Sequence, residues 1–317
     1  MKQMLCYFFN SMIMLILVLI LNMLVVGFLT LYERKIMGLF HYRKGPNKNF
    51  FIGLFQPFND AIKLIMKEFF FPKKSFMMIY LMSPMIMIIL VMMLWLIYPF
   101  YTNLIMFNNS ILFFLSLMSL GVYGLILSGW SSNSSYSMIG SIRSIAQSIS
   151  YEVVFAISIM IILMFINTMN LNLLINFYKY FINYMFFFPF MIILLISMLA
   201  EINRTPFDLS EGESELVSGF NIEYSSSKFI LIFLAEYSSL MFMMFLFIYL
   251  FMMSKLNFFF YFKVILMIFF ITWIRMTFPR IRYDKLMKFC WIYLLPFTLM
   301  LFLNFMIYKF MFDVVLI

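Results

Sequence analysis

Acidic residues are concentrated in one segment of this chain, residues 201–223. The segment holds six of the 13 acidic residues in a sequence that is 65% hydrophobic, namely Glu201, Asp208, Glu211, Glu213, Glu215 and Glu223. Long apolar runs flank it on both sides. Because a charged group is costly in hydrocarbon, acids at the end of a membrane helix usually line a polar cavity or a proton path. Capping and solubility would explain some of these acids, but we favour a functional cavity.

Two further acids lie inside apolar runs, Glu152 and Glu236. A polar face at helical spacing leads to Glu152; its members are Ser141, Arg143, Ser144, Gln147, Ser148 and Tyr151. A carboxyl group in such surroundings can exist in either protonation state and pass a proton onward. We therefore predict a proton relay through Glu152, Glu201 and Glu236, with Tyr151 beside it. For Glu152, a structural hydrogen bond to a neighbouring helix is the alternative.

Composition indicates the elements that position these acids. A chain of 317 residues with mean hydropathy +1.03 and 11% charged residues cannot be a soluble globule. Each apolar run is long enough to cross about 30 Å of hydrocarbon as a helix. We predict an all-α polytopic membrane protein, a single transmembrane domain over residues 1–317 with about eight spans. The spans are predicted at 4–31, 76–99, 108–130, 142–166, 180–200, 229–253, 257–278 and 289–310.

The basic residues indicate how the chain crosses the membrane. Of the 22 Lys and Arg residues, 17 fall in four loops, at 32–75, 131–143, 201–228 and 275–288. Because positive loops stay on the inner side, we predict that these loops share that side and that both termini lie on the opposite one. Topology and anionic headgroups then explain the net charge of +9, and nucleic-acid binding is not needed.

An interfacial helix is predicted at residues 51–71. Polar side chains recur there every three or four residues, at Gln56, Asn59, Asp60, Lys63 and Lys67. Apolar residues fill the remaining positions, which indicates an amphipathic helix that begins near Pro57 and ends before Pro72. Such a helix lies in the plane of the interface. It is either a surface anchor or part of an entrance for a lipid-soluble substrate.

The segment after the fifth span contains a helix-start signal, Thr-Pro-Phe-Asp at residues 205–208. A threonine N-cap followed by proline at the first helical position predicts a helix over the next residues. Asp208, Glu211 and Glu215 would share one face of it, and Asp208 would complement the helix dipole. Arg282, in the last basic loop, can pair with these acids; topological charge is the alternative explanation for Arg282.

Residue types that bind metals and redox cofactors are scarce. The chain has one histidine, His41, and two cysteines, Cys6 and Cys290, which fall near opposite ends of different predicted spans. It has no CxxC pair and no GxGxxG run. We therefore predict no metal site, and any redox cofactor must lie in a partner protein.

Short motifs occur in a fixed order along nearly the whole chain. They are Glu33-Arg-Lys, Arg43-Lys-Gly-Pro-Asn, Gln56-Pro-Phe, Ser150-Tyr-Glu, Glu201-Ile-Asn-Arg-Thr-Pro-Phe-Asp-Leu, Glu211-Gly-Glu-Ser-Glu-Leu-Val-Ser-Gly-Phe-Asn-Ile-Glu-Tyr, Ala235-Glu-Tyr and Arg280-Ile-Arg-Tyr-Asp. In these motifs the chain resembles the NADH-ubiquinone oxidoreductase chain 1 family, the mitochondrially encoded subunit 1 of respiratory complex I. The external loops and the short tail after Tyr308 depart from the family pattern.

The resemblance implies a multi-pass subunit of the mitochondrial inner membrane, with both termini on the intermembrane-space side, at the point where ubiquinone enters a tunnel. The residues implied at the tunnel and the acidic loop are Glu33, Arg34, Asp60, Asp208, Glu211, Glu213, Phe220 and Arg282. Glu152, Glu201 and Glu236 are implied as the path of protons from the quinone cavity toward the pumping subunits.

The same resemblance implies the substrate and the partners. Ubiquinone is the expected substrate, while NADH, FMN and the iron-sulfur clusters belong to partner subunits. The expected partners are the other membrane-arm subunits, the peripheral iron-sulfur and quinone-site subunits, and membrane lipids.

Two other functions compete with this interpretation. A secondary transporter would use the midplane acids to bind a cation and a substrate, but it should show inverted repeats and paired broken helices, and neither is found in the sequence. A structural anchor for peripheral proteins would need the basic loops but not Glu152 or Glu236. The energy-coupling subunit accounts for the most residues.

Overall fold

The structure, a computed structural model, describes residues 2–99, 107–171, 173, 184–210, 212, 219–252 and 256–316. These residues form helices and short connections, without a β-strand. The helices are α1 (Lys2–Phe40), α2 (Gln56–Met66), α3 (Met77–Leu94), α4 (Ser110–Ser132), α5 (Ser135–Ile166), α6 (Tyr184–Glu201), α7 (Ser226–Phe251), α8 (Phe258–Thr277), α9 (Tyr283–Lys288) and α10 (Leu295–Leu316). A π-helical segment, Phe289–Leu294, joins α9 to α10.

Seven helical segments in the described residues are long and apolar enough to cross a membrane. They are Phe9–Phe40, Met77–Ile97, Ser110–Ser132, Ser135–Met164, Ser226–Phe251, Phe258–Thr277 and Tyr283–Met311. The all-α polytopic fold predicted from hydropathy is therefore confirmed. The predicted span at 180–200 corresponds to α6, and residues 180–183 lie outside the part of the chain that the structure describes.

Two spans are longer than hydropathy predicted. α1 continues to Phe40 rather than ending at residue 31, so Glu33 belongs to a helix. α5 begins at Ser135 rather than at residue 142. Serine hydroxyls of α5 donate to carbonyls three residues earlier in the same helix. The serine hydroxyls of α5 thus find hydrogen-bond acceptors within the helix, so the serine-rich sequence does not interrupt it.

The most enclosed of the seven spans is α5. It packs against α4, α6 and α10, and also against a 3-10 turn at Gly219–Asn221. Tight contacts to small residues allow this packing, because helix association in lipid depends on close van der Waals contact. At Gly140, an added Cβ would lie 3.2 Å from the Cα of Gly219 and 3.2 Å from the backbone nitrogen of Phe220. Gly140 therefore lets the turn rest directly on α5.

The interfacial helix is shorter than predicted. α2 starts at Gln56, as expected, but it ends at Met66, and Lys67 is already extended. The prediction that it reaches residue 71 was wrong, because the following segment binds other elements: the backbone nitrogen of Phe70 donates to Ser225 Oγ at 3.4 Å. α2 packs on α1 and α7. Ile62, Ile65 and Met66 remain exposed at 54%, 61% and 80%, as expected of a helix that meets lipid.

Candidate functional site

A cavity of about 110 Å³ lies between α3, α4, α5, α7 and the end of α6. Glu201 and Glu236 both line it, with Ser148 and Ser239 beside them. Glu201 is the last residue of α6, and its Oε2 is buried without a hydrogen-bond partner in the described residues. Glu152 lies close enough to Glu201 for the two carboxyl groups to repel each other. The structure therefore brings the three predicted relay acids into one neighbourhood.

The loop after α6 is fixed to α5 by one amide. Gln147 is fully buried, and its Nε2 donates to the carbonyl oxygens of Ala200 and Phe207, at 2.8 Å each. The two acceptors are the residue before Glu201 and a residue of the following loop. Gln147 thereby positions both the end of α6 and the start of the acidic segment. Its place in the sequence indicated only that it belongs to a polar face.

The prediction that a helix begins at Thr205 was wrong, because residues 202–210 form turns, bends and irregular backbone. The rest of the predicted helix, through Glu211 and Glu215, lies outside the described residues. The carbonyl of Pro206 accepts a hydrogen bond from the backbone nitrogen of Ile281 at 3.0 Å, and the carbonyl of Phe207 accepts one from Gln147. Because these carbonyls bind neighbouring elements, they are not available to an internal helix ladder, and tertiary contacts override the capping signal.

Asp208 is buried at 5% exposure and pairs with a basic residue of the loop at 275–288. That residue is Arg280, whose Nη2 lies 3.2 Å from Asp208 Oδ2. Arg282 contacts Asp284 at 3.0 Å on an exposed surface, and its possible pairing with Glu211, Glu213 or Glu215 stays a prediction, because those acids lie outside the described residues. Glu211, Glu213 and Glu215 lie outside the described residues, so their predicted places on the acidic loop stay predictions.

A second buried cluster surrounds Glu33. Its Oε1 accepts hydrogen bonds from Arg204 Nη1 at 3.3 Å and from Arg275 Nη1. Tyr237 lies beside both groups, and the Arg204 guanidinium carbon lies 4.4 Å from the centre of the Tyr237 ring. Charge-assisted hydrogen bonds of this kind are the strong ones in proteins. The cluster joins α1, α7, α8 and the loop after α6.

Arg204 connects this cluster to the acidic cavity. Burial alone would lower the pKa of its guanidinium, but Glu33 and Tyr237 hold that pKa above its ordinary value, and Glu236 adds to the effect. Arg204 is therefore a permanent positive charge beside both Glu33 and Glu236. The residues next to Arg204 in sequence do not indicate these contacts, because the partners of Arg204 lie on helices that are distant in sequence.

Arg34 and Asp60 join α1 to the interfacial helix. Arg34 Nη1 donates to Asp60 Oδ2 at 2.5 Å, and Gln56 Nε2 donates to Asp60 Oδ1 at 2.8 Å. The side chains of Arg34 and Asp60 are 50% and 33% exposed. This pair is therefore open to solvent or ligand, in contrast to Glu33, the residue before Arg34, which is buried at 3% exposure.

Comparison with known proteins identifies the chain. The sequence profile of the NADH dehydrogenase family matches residues 12–306. The chain belongs to the NADH dehydrogenase family. The resemblance seen in the motifs is confirmed, and so is the prediction of a subunit of this enzyme.

Relatives of this NADH dehydrogenase subunit match it over most of their length. The chain is 47% identical to NADH-ubiquinone oxidoreductase chain 1 of Aedes aegypti over 285 residues, which cover 90% of this chain and 91% of that protein. It is 48% identical to the chain 1 protein of Locusta migratoria, with the same coverage. An NADH-quinone oxidoreductase subunit of Rickettsia prowazekii is 42% identical over 87% of this chain and 86% of its own length.

Two predicted site residues of this NADH dehydrogenase subunit make packing contacts. Tyr151 is fully buried; its hydroxyl donates to the carbonyl of Leu286 at 3.3 Å, and its ring lies 5.9 Å from that of Phe207. Phe220 lies in the 3-10 turn and packs in a cluster with Tyr80. Their roles in proton transfer and in the quinone tunnel stay predictions.

Proposed function

We propose that this chain is the membrane-arm subunit of a proton-pumping NADH:ubiquinone oxidoreductase of the mitochondrial inner membrane. In this proposal it forms much of the ubiquinone tunnel and the acidic relay that couples quinone reduction to proton transfer. One observation carries the proposal: Glu33, the residue before the Arg34 that pairs with Asp60, binds Arg204, and Arg204 in turn is influenced by Glu236 of the buried cavity.

The entrance for quinone is proposed at α1, α2 and α7. α2 exposes apolar side chains to lipid on one side and holds Asp60 next to Arg34 on the other. A quinone has an apolar tail and a headgroup with two carbonyl acceptors. The tail can stay beside the apolar face of α2 while the headgroup reaches donors such as Arg34. Phe220 and Arg282 stay proposed members of the tunnel and the acidic loop.

The Glu33 cluster is proposed as the link between the quinone tunnel and the relay. Arg204 contacts Glu33 on one side and is influenced by Glu236 on the other. A change of charge in the tunnel shifts the balance of forces on Arg204, and hence the proton affinity of Glu236. In this way a reaction at the quinone headgroup would alter the proton affinity of an acid in the cavity. No redox centre in this chain is required.

The relay itself is proposed to run from Glu236 through Glu201 to Glu152. Glu236 and Glu201 share the cavity, and Glu201 and Glu152 repel each other. Coupled carboxyl groups share protons as a set, so adding a proton at one site alters the occupancy of the next. Ser148 and Ser239 line the same cavity, and Tyr151 is a proposed further member of the relay. Asp208, Glu211 and Glu213 are proposed as the acidic loop that responds to reduction.

The partners follow from this assignment. Peripheral subunits would hold FMN and the iron-sulfur clusters and would oxidise NADH, while other membrane-arm subunits would receive the protons. The basic loops would face the matrix and both termini the intermembrane space, in agreement with the excess of Lys and Arg in the inner loops.

The proposal is tested by Glu236→Gln in the assembled complex. We expect proton pumping and NADH-driven quinone reduction to fall at least about tenfold, because a positioned acid contributes that much or more to proton transfer. NADH oxidation by a water-soluble acceptor should not change, since electrons do not pass through this chain. The matched control is Glu68→Gln, which removes an exposed acid and should leave all three rates unchanged. Full pumping by an assembled Glu236→Gln complex contradicts the relay.

A further inference from the structure

Tyr224 is the residue directly after the acidic segment, and the proposed function does not use it. Its side chain is buried at 5% exposure although it lies in a connection, two residues before α7 begins. Its hydroxyl oxygen lies 2.9 Å from Ser83 Oγ of α3 and 3.1 Å from Ser131 Oγ of α4. It also donates to the carbonyl of Ser128 at 3.3 Å. One phenol group thus joins the connection to two membrane spans.

A second tyrosine holds the residue before Tyr224. Tyr80 of α3 donates its hydroxyl to the carbonyl of Glu223 at 2.7 Å. The rings of Tyr80 and Tyr224 are stacked, with their centres 4.4 Å apart and their planes at 2°. Because Tyr80 and Ser83 are three positions apart in a helix, they lie on one face of α3. That face of α3 therefore binds both Glu223 and Tyr224.

This cluster of hydroxyl groups fixes a position more than it adds stability. Ser83, Ser128 and Ser131 are fully buried. In such surroundings, apolar side chains of the same shape would pack about as stably as hydrogen-bonded polar ones. A displaced Tyr224, however, would leave its own hydroxyl buried without these partners, which is costly. The cluster therefore selects one position for the end of the acidic segment.

The helices that bind Tyr224 also line the cavity of the relay acids. In α3, Met87 lies one turn beyond Ser83, and in α4, Leu125 lies one turn before Ser128. Met87 and Leu125 both line the cavity. At 1.5 Å per residue, the contacts of Tyr224 are about 5 to 6 Å along each helix from the cavity wall. The end of the acidic segment and the cavity thus share the same two helices.

The start of the acidic segment is held in a comparable way. Gln147 of α5 donates to the carbonyls of Ala200 and Phe207, and the next residue of α5, Ser148, lines the cavity. The segment is therefore bound near both of its ends to spans that surround one cavity. Gln147 holds the first end and Tyr224 holds the second.

We propose that Tyr224 is a positioning residue for coupled quinone reduction, which fixes the end of the acidic segment relative to the cavity of Glu201 and Glu236. It acts through its hydrogen bonds to α3 and α4 and does not itself carry a proton of the relay. The inference rests on the proposed function, because it assigns Tyr224 a part in the same coupling.

The test is Tyr224→Phe in the assembled complex, which removes the hydroxyl and keeps the stacked ring. We expect kcat of NADH-driven quinone reduction to fall about three- to tenfold, the equivalent of one hydrogen bond lost from the positioned state. The KM for quinone should not change, because Arg34 and Asp60 at the proposed entrance are unaltered. Hydrogen exchange should rise at residues 219–226 and stay native in α8.

Two comparisons separate positioning from a general loss of packing. Tyr136→Phe removes the hydroxyl of an exposed tyrosine in the first turn of α5 and should leave kcat and hydrogen exchange native. Ser83→Ala should lower kcat, and the double variant with Tyr224→Phe should be no slower than Tyr224→Phe alone, because both substitutions remove the same contact. If Tyr224→Phe does not assemble, the comparison of Ser83→Ala with Tyr136→Phe still decides.

Native kcat in an assembled Tyr224→Phe complex would overturn the positioning role, even if hydrogen exchange rises, because the hydroxyl would then serve packing alone. A higher KM at native kcat would also overturn it, since Tyr224 would then act on quinone binding. So would losses that multiply in the double variant, because Ser83 and Tyr224 would not act through one contact.

The relay is tested separately from this inference. A Glu236→Gln complex that pumps fully would remove the relay. A slow Tyr224→Phe complex would still show that quinone reduction needs the end of the acidic segment in place.

Discussion

Glu33 in α1 forms a buried ion pair with Arg275 in α8, although 242 positions separate the two residues in sequence. Arg204 binds the same carboxylate oxygen from the loop after α6. One acid is thus paired with two arginines, and the cluster keeps a net positive charge. Removing one member of a buried pair leaves the other charges uncompensated, which costs more than the pair contributes.

Glu33→Gln should therefore destabilise the subunit by about 3 kcal/mol or more, since two arginines lose their counter-charge. We expect a lower unfolding temperature of the subunit in the purified complex, measured by hydrogen exchange of α1 and α8 on heating. Arg282→Gln is the control, because its exposed pair with Asp284 should contribute no more than about 1 kcal/mol. Equal effects of both substitutions would show that the Glu33 cluster is not a structural link.

Gln147→Met should loosen the start of the acidic segment while preserving side-chain volume. The variant removes one of the two donors to each carbonyl, since Asn203 N still donates to Ala200 and Leu209 N to Phe207; each lost hydrogen bond should cost about 0.5 to 1.5 kcal/mol. Hydrogen exchange should rise in residues 202–210 and remain unchanged in α3. Unchanged exchange in that loop would mean that Arg280 and Ile281 hold it without the amide.

Asp60→Ala should weaken quinone turnover more than stability. Arg34 loses its partner at the exposed edge of α2, where an ion pair contributes at most about 1 kcal/mol. We expect a higher KM for both short-tail and long-tail quinones with normal assembly. Glu68→Ala removes an exposed acid just beyond the end of α2 and serves as the control. If the Asp60→Ala complex keeps the native kinetic constants for both quinones, α2 serves only as a membrane anchor.

Gly140→Ala should displace the 3-10 turn that contains Phe220. The new Cβ would lie 3.2 Å from Gly219 Cα, and an overpacked contact of this kind costs about 1 to 3 kcal/mol. Hydrogen exchange at residues 219–221 should increase. Gly121→Ala is the matched control, since its Cβ meets open space and the change should be neutral. If the two alanines behave alike, the turn is not held by this contact.

Much of the fold could be predicted because lipid imposes a simple rule: backbone polar groups must be satisfied within each span, so long apolar runs become helices. The rare acids in those runs, Glu152 and Glu236, were visible for the same reason. Helix ends were less predictable. α5 starts at Ser135 because its serines bond to their own helix, and hydropathy does not register that bond.

The charged partners could not be predicted, because pairing depends on how distant helices meet. Nothing near Glu33 in sequence points to Arg204 or Arg275. The helix signal at Thr205 failed for a related reason, since Ile281 and Gln147 bind the carbonyls that a helix would use. Residue types in the sequence thus indicated the candidate site residues. Which of these residues contact each other depends on how the helices pack.

The side-chain amide of Gln147 holds the loop after α6, and an amide group does not titrate. In the proposed relay, protons that enter or leave Glu201 and Glu236 alter the charge of the cavity, but they leave the two hydrogen bonds from Gln147 Nε2 intact. The hydrogen bonds that hold the loop therefore stay the same when the cavity acids gain or lose protons. A carboxylate in the place of Gln147 would tie the shape of the site to its proton occupancy, and each transfer would risk releasing the loop that positions the next acid.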